Sequence, residues 1–329
     1  MERTRSFLES IGLPRGDLRE LPDSQRRFPD GASFRIEIPS TEGPRCLEAV
    51  LDESARRDVP VHRVSQGSGA LLLTEDELDE MVRLAAEARI EVSLFAQPTA
   101  GWLPSAAART EGGALVAAAS YGEEGIVHAL EDIKRSASHG VRSVLITDVG
   151  LLAAFDAMRS AGELPREMQA KISVTFPIAN PSTARVLVGL GANTLNLVTD
   201  LSLPQIAAIR AAVDVPIDFY IEAPDNLGGF VRYYELAELI RIAAPLYVKF
   251  GLRNAPNIYP SGTHIEATAV ALSRERVRRA QLAMEMLRRS GSSAEMSAPG
   301  AADLAVPVPV RADASEVRSP IAETGRIER

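Results

Sequence analysis

Between residues 34 and 289 the chain alternates two kinds of segment, eight times over. Short apolar or alternating runs give way to longer stretches whose apolar residues recur at three- and four-residue spacing. The short runs are Phe34–Pro39, Val59–Ser65, Ile90–Gln97, Ser143–Asp148, Lys171–Pro177, Thr194–Thr199, Ile217–Glu222 and Leu246–Phe250. The helical stretches are Leu47–Arg56, Thr74–Ala88, Gly125–Ser138, Leu151–Ala161, Pro181–Leu190, Leu203–Ala212, Val231–Ala243 and Ser273–Arg289. Thr74 followed by Glu77 is a capping-box pattern, and Pro204 suits a first helical turn. Strands that strictly alternate with helices run parallel, because each returns through a crossover. Eight such units in about 250 residues predict a (β/α)8 TIM barrel. The alternative, an open doubly wound sheet, lacks a GxGxxG turn after the first strand.

The barrel is predicted as a single α/β domain over residues 34–290. Residues 1–33 read as an N-terminal extension. Residues 98–120 make a long loop after the third strand, a length typical of lids, and its Trp102 is placed to cover a substrate. Residues 291–329, rich in Ser, Ala, Pro and charge, read as a disordered tail.

A net charge of −8 without a basic block argues against a nucleic-acid partner held through phosphates. No stretch approaches membrane-span length and Met1–Arg15 is charged, so a cytoplasmic location is expected, with homo-oligomerisation left open. Cys46 is the single cysteine. It predicts a buried structural thiol, and no cysteine-ligated iron–sulfur cluster is expected.

Strand parity nominates the site. In a barrel, alternate side chains face the lumen, and active sites lie at the carboxyl ends of the strands. The polar parity comprises Arg35 and Glu37 on the first strand, Ser173 and Thr175 on the fifth, and Asn196 on the sixth. The seventh contributes Asp218, Tyr220 and Glu222, and the eighth Tyr247 and Lys249. The first, seventh and eighth strands adjoin in a closed barrel, so Glu37, Glu222 and Lys249 are expected to meet near its top. There the carboxylates would act as general acid and base or hold a divalent metal, and Lys249 would act as a base or Schiff-base former. A structural ion-pair plug is the competing reading. His62 on the second strand joins the catalytic candidates. Arg253, Gln97 and His264 are further candidate substrate contacts. Gly228 and Gly229 are expected to offer free N–H groups to an anion.

The run ANPSTARVLVGLGANTLNLVTDLSLPQIAAIRA (Ala179–Ala211) and the strand VPIDFYIEAP (Val215–Pro224) resemble peptidase family U32, the collagenase-like proteases. The resemblance implies a (β/α)8-type catalytic domain and a hydrolase acting on a small-molecule or peptide substrate. It also marks departures. Asp218 takes the position of the family signature's glutamate and Glu222 that of its histidine, and the signature's closing cysteine is absent. The iron–sulfur hydroxylation chemistry of several relatives is therefore not implied. A non-catalytic barrel that binds a partner, and a lysine-dependent lyase or aldolase, are the alternatives.

Overall fold

A computed structural model describes residues 1–111 and 113–310. Eight parallel strands close into a barrel in sequence order. They are β1 Phe34–Pro39, β2 Arg63–Ser65, β3 Glu91–Phe95, β4 Ser143–Ile146, β5 Gln169–Ile172, β6 Thr194–Asn196, β7 Ile217–Glu222 and β8 Leu246–Phe250. Helix α1 (Glu2–Ser10) precedes the barrel. The outer layer is α2 Pro44–Arg57, α3 Glu75–Ala88, α4 Gly122–Ser138, α5 Val149–Ala161, α6 Pro181–Gly189, α7 Leu203–Ala212, α8 Leu236–Ala243 and α9 Glu266–Arg289. The predicted barrel is thus the observed one, with the first, seventh and eighth strands as expected and the other five shorter. The second strand's paired register begins at Arg63, with His62 already bonded to the Ile36 carbonyl and the Glu91 N–H, and the fifth ends at Ile172, leaving Ser173 and Thr175 in a turn.

Local chemistry fixes the helix starts. Thr74 and Glu77 form the expected capping box at α3, and Ser202 with Gln205 forms another at α7. Asp148 caps α5 and Asn180 caps α6 by accepting the N–H groups of Leu151 and Thr183. The main core lies between sheet and helices, where Phe34, Ile36, Ile38, Val248 and Phe250 meet residues such as Leu47, Leu239 and Val277. The other strand parity is left for the lumen, which fills with polar groups.

The expected tail divides. Residues 311–329 lie outside the described residues. Residues 292–310 do not form a tail: they run under the amino-terminal end of the barrel as a strap. Met296 bridges to Phe34, Ser297 N–H donates to the Phe34 carbonyl, Leu304 packs with Phe28 and Tyr247, and Val308 N–H donates to the Gly140 carbonyl. A Ser/Ala/Pro composition carries no periodicity, so nothing local signals that its few apolar residues have a surface to cover.

Candidate functional site

Among the described residues, six charged side chains meet in the lumen. Glu37 sits at the centre with no exposed surface. Its Oε2 accepts from Arg63 Nε at 2.7 Å, and its Oε1 from Ser65 Oγ at 2.7 Å, Lys249 Nζ at 3.0 Å and Lys171 Nζ. Arg63 also binds Asp218, and Lys171 lies 3.4 Å from the same carboxylate. Glu91 lies 3.6 Å from Arg63 Nη1 and accepts from Ser143 Oγ at 2.8 Å. The Arg63 guanidinium stacks 3.5 Å from the Tyr247 ring centroid. Above this layer the Lys249 ammonium lies 4.6 Å from the Tyr220 ring. The Asn196 amide, turned so that both of its ends are satisfied, accepts from Lys249 at 2.8 Å and donates to the Asp218 carbonyl.

These neighbours pull the titrations apart. Burial alone would raise the Glu37 pKa, but the charges of Arg63, Lys171 and Lys249 outweigh it and hold the carboxyl well below the usual range. Burial, reinforced by the charges of Arg63 and Lys249, pushes Lys171 down to about 7 against the attraction of Glu37 and Asp218. Lys249 goes the other way. Burial opposes its charge, but Glu37, Tyr220 and Asp218 raise its pKa above that of an ordinary lysine.

The structure therefore brings Glu37, Lys249, Asn196 and Tyr220 together as predicted, and separates Glu222 from them. The β7–β8 register slips between Tyr220 and Glu222, so Glu222 pairs with Phe250 rather than with a lumen residue. Residues directly opposite share a face, so the irregularity turns Glu222 toward the helix layer. There its carboxylate accepts from Tyr233 Oη at 2.8 Å and from the Arg253 N–H at 3.0 Å, with Arg279 3.7 Å away. A metal held jointly by Glu37 and Glu222 does not fit this arrangement. Nor does a cysteine-ligated cluster, since the sole thiol, Cys46, is buried against Ile258 and Ala269.

Two further candidates belong to the base of the barrel. Arg35 donates to Asp303 at 2.9 Å, to Ser297 Oγ at 2.8 Å and to Tyr247 Oη at 3.2 Å, with its guanidinium over Phe28. His62 Nδ1 accepts the Ile36 N–H at 3.1 Å, which leaves Nε2–H to donate to the Ser297 carbonyl at 2.8 Å. Burial drives its pKa down to about 4, so it is held neutral. Both residues clamp the strap, far from the carboxyl ends of the strands.

Gly228 and Gly229 adopt left-handed conformations, φ 98° and 61°, but their N–H groups donate to the Asp225 and Pro224 carbonyls within the turn and are not free. Gln97 is buried, and its Oε1 closes a turn by accepting the Thr99 N–H. Arg253 and His264 are exposed on the loop after β8. Trp102 is partly buried in the loop after β3, whose Gly101 N–H donates to the Ala117 carbonyl.

Parity reasoning missed Lys171 and Arg63. Lys171 shares the parity of Ser173 and was legible on that ground; at the first turn of its strand it reads as a rim residue. Arg63 was hidden because His62, its neighbour of opposite parity, looked the more chemical residue.

A model of peptidase family U32 matches residues 105–223. The matched segment runs from the loop after β3 to the end of β7, about a third of the chain, and includes Lys171, Asn196, Asp218, Tyr220 and Glu222 but neither Glu37 nor Lys249. Among solved structures, the U32 peptidase Mk0906 is similar at 15% identity over 61% of this chain and 73% of that chain, with a TM-score of 0.38. A truncated 3-deoxy-D-arabino-heptulosonate 7-phosphate synthase from Thermotoga maritima is similar at 14% identity over 84% and 95%, TM-score 0.43. The 4-hydroxy-tetrahydrodipicolinate synthase from Methylacidiphilum fumariolicum SolV is similar at 13% over 77% of each chain, TM-score 0.40. No curated protein matches the chain.

Proposed function

We propose that the chain is an acid–base enzyme acting on an anionic small molecule or peptide at the carboxyl-terminal mouth of the barrel. The observation that carries this reading is the pair of lysines sharing Glu37 Oε1, whose pKa values diverge, Lys171 downward and Lys249 upward. Groups driven apart in this way divide into a base and an acid. Lys171, neutral in part near pH 7, is the base or the amine for a carbonyl. Lys249, kept charged beside Tyr220 and Asn196, is the acid and the electrostatic partner of the substrate's anion. Peptide hydrolysis is the form that the U32 name suggests; a lyase working through an imine on Lys171 uses the same pair.

A second reading has its own observation. Glu37, Arg63, Lys171, Asp218 and Lys249 are each at most 1% exposed. A closed ion network of that kind suits a barrel that only binds a partner.

Lysine acylation by acetic anhydride across pH 6–11, read by peptide mass mapping on the folded protein, separates the two. The enzyme reading expects Lys171 to be acylated with a midpoint near 7, well below the surface lysine Lys134, and to be trapped by borohydride with 2-oxo acids. A Lys171 that stays inert at every pH until the protein unfolds, while Lys134 reacts, would sink it and leave the binding barrel.

A further inference from the structure

The loop that follows β8, Leu252–Gly262, crosses the rim of the barrel with little of its own to hold it. Among the described residues, no backbone–backbone hydrogen bond involves residues 252–261. Side chains tether it instead. The Arg253 and Asn254 N–H groups donate to Glu222 and Asp225, the Ser261 N–H donates to Ser68 Oγ at 2.9 Å, and Tyr259 Oη meets Ser40 Oγ. The Tyr259 ring rests on Gly67, where a Cβ would come within 2.3 Å of it. Leu252, Ile258 and Ser261 are buried, but the stretches between them are exposed and make no ladder, and such stretches open at lower free energy than the core elements.

Beneath the loop lies Arg276 of α9, only 5% exposed. Its guanidinium makes one hydrogen bond, from Nη1 to the Ser40 carbonyl at 3.3 Å, and its Nε has no partner. Among the described residues it pairs with no carboxylate. The nearby acid, Glu42, is committed to the N–H groups of Gly67 and Ser68 at 2.9 and 3.0 Å. Ser40, which supplies the single acceptor, sits in the left-handed region at φ 58°, a conformation that a non-glycine residue holds at a cost. A buried guanidinium with unused donors and no carboxylate in direct contact is expensive unless a ligand completes it. Tyr220 and Tyr259 are near enough to act on the charge of Arg276, and the Tyr220 ring also lies 4.6 Å from the Lys249 ammonium, which links the feature to the lumen site.

We propose that Arg276 anchors an oxyanion, a phosphate or a carboxylate group of the ligand, beneath a lid formed by residues 252–262. The planar fork of arginine matches either group bidentately. In the closed state the Tyr259 ring and the Ser40 carbonyl stand over the place that the oxyanion takes when the lid lifts. This deepens the reading of an anionic substrate and rests on it.

Phenylglyoxal modification of the full chain, with peptide mass mapping at Arg276, tests the site without any turnover assay. The probes are inorganic phosphate and succinate, run on the native protein and on Tyr259→Ala and Arg276→Gln. We expect Arg276 to be modified faster in Tyr259→Ala and to be protected by one of the two anions, which identifies the group. Calorimetry should show that anion binding about tenfold or more weaker in Arg276→Gln. The proposal is overturned if Arg276 stays unmodified in both Arg276-bearing proteins, if neither anion protects it, or if Arg276→Gln binds the anion as well as the native chain. Tyr259→Ala keeps the guanidinium and serves where Arg276→Gln fails to fold. Acylation of Lys171 reads the acid–base assignment separately, so either idea can fail without the other.

Discussion

Glu37→Gln is the sharpest perturbation that this barrel offers. The carboxylate accepts from Arg63, Ser65, Lys171 and Lys249 with no exposed surface. Glutamine keeps the shape and one acceptor oxygen, but it removes the charge and turns an NH2 toward cations that can only donate. Arg63, Lys249 and the partly charged Lys171 are then left with Asp218 and Glu91. Removing one partner of a buried ion pair costs about 3–5 kcal/mol, because the other charge stays in place without compensation. For a chain of 329 residues the unfolding entropy is about 0.7 kcal/mol/K, so the melting temperature should fall by about 4–7 °C at pH 7. The sign with pH is fixed as well. The folded-state pKa is depressed below the unfolded value of 4.5, so the stabilisation is complete above that value and lost as pH falls through the folded one. Native and variant curves should therefore converge in acid. Because the pair is buried, the difference should persist in 1 M salt, where surface pairs are screened. Differential scanning calorimetry at pH 7 and pH 3, with and without salt, reads all three. A shift under 1 °C at pH 7, or one abolished by salt, would refute the claim that the network is buried and mutually dependent.

Two more outcomes concern the base of the barrel. His62 is held neutral with a pKa of about 4 against 6.5 unfolded, so its contribution is intact above 6.5 and is lost as pH falls toward 4. The loss reaches about 3 kcal/mol, and NMR of the ring should show no titration between pH 7 and 5.5; a midpoint near 6.5 would contradict the contact with the Ile36 N–H. Asp303→Asn should cost about 2 kcal/mol, discounted because the Asp303 side chain is 32% exposed, through the Arg35 guanidinium that it leaves at 1% exposure. Unchanged urea unfolding would mean that the strap is not clamped there.

The architecture was legible because its evidence is local. Eight changes of period, from about two to about 3.6, can be counted along the chain, and parity within a strand assigns half of its residues to the lumen without knowledge of any neighbour. On those grounds Glu37, Asn196, Asp218, Tyr220 and Lys249 were placed on the right face, and the lack of further cysteines needed no structure at all. What depended on registration between distant segments was not legible. A slip of the β7–β8 ladder at Tyr220 turns Glu222 from the lumen to the helices, although its sequence parity is unbroken. The strap beneath the barrel has no period to read, so Arg35 and His62 appeared free to serve a site when residues some 235–270 positions later already hold them. Arg276 lies mid-helix among α9 arginines that are otherwise exposed or half-exposed, and only the fold shows that it is buried with no carboxylate in contact among the described residues. The amino-acid order thus determined the barrel and the polar nature of its interior. Tertiary structure decided which charges meet, because pairing energies in a low-dielectric lumen depend on ångström distances that only closure of the sheet sets.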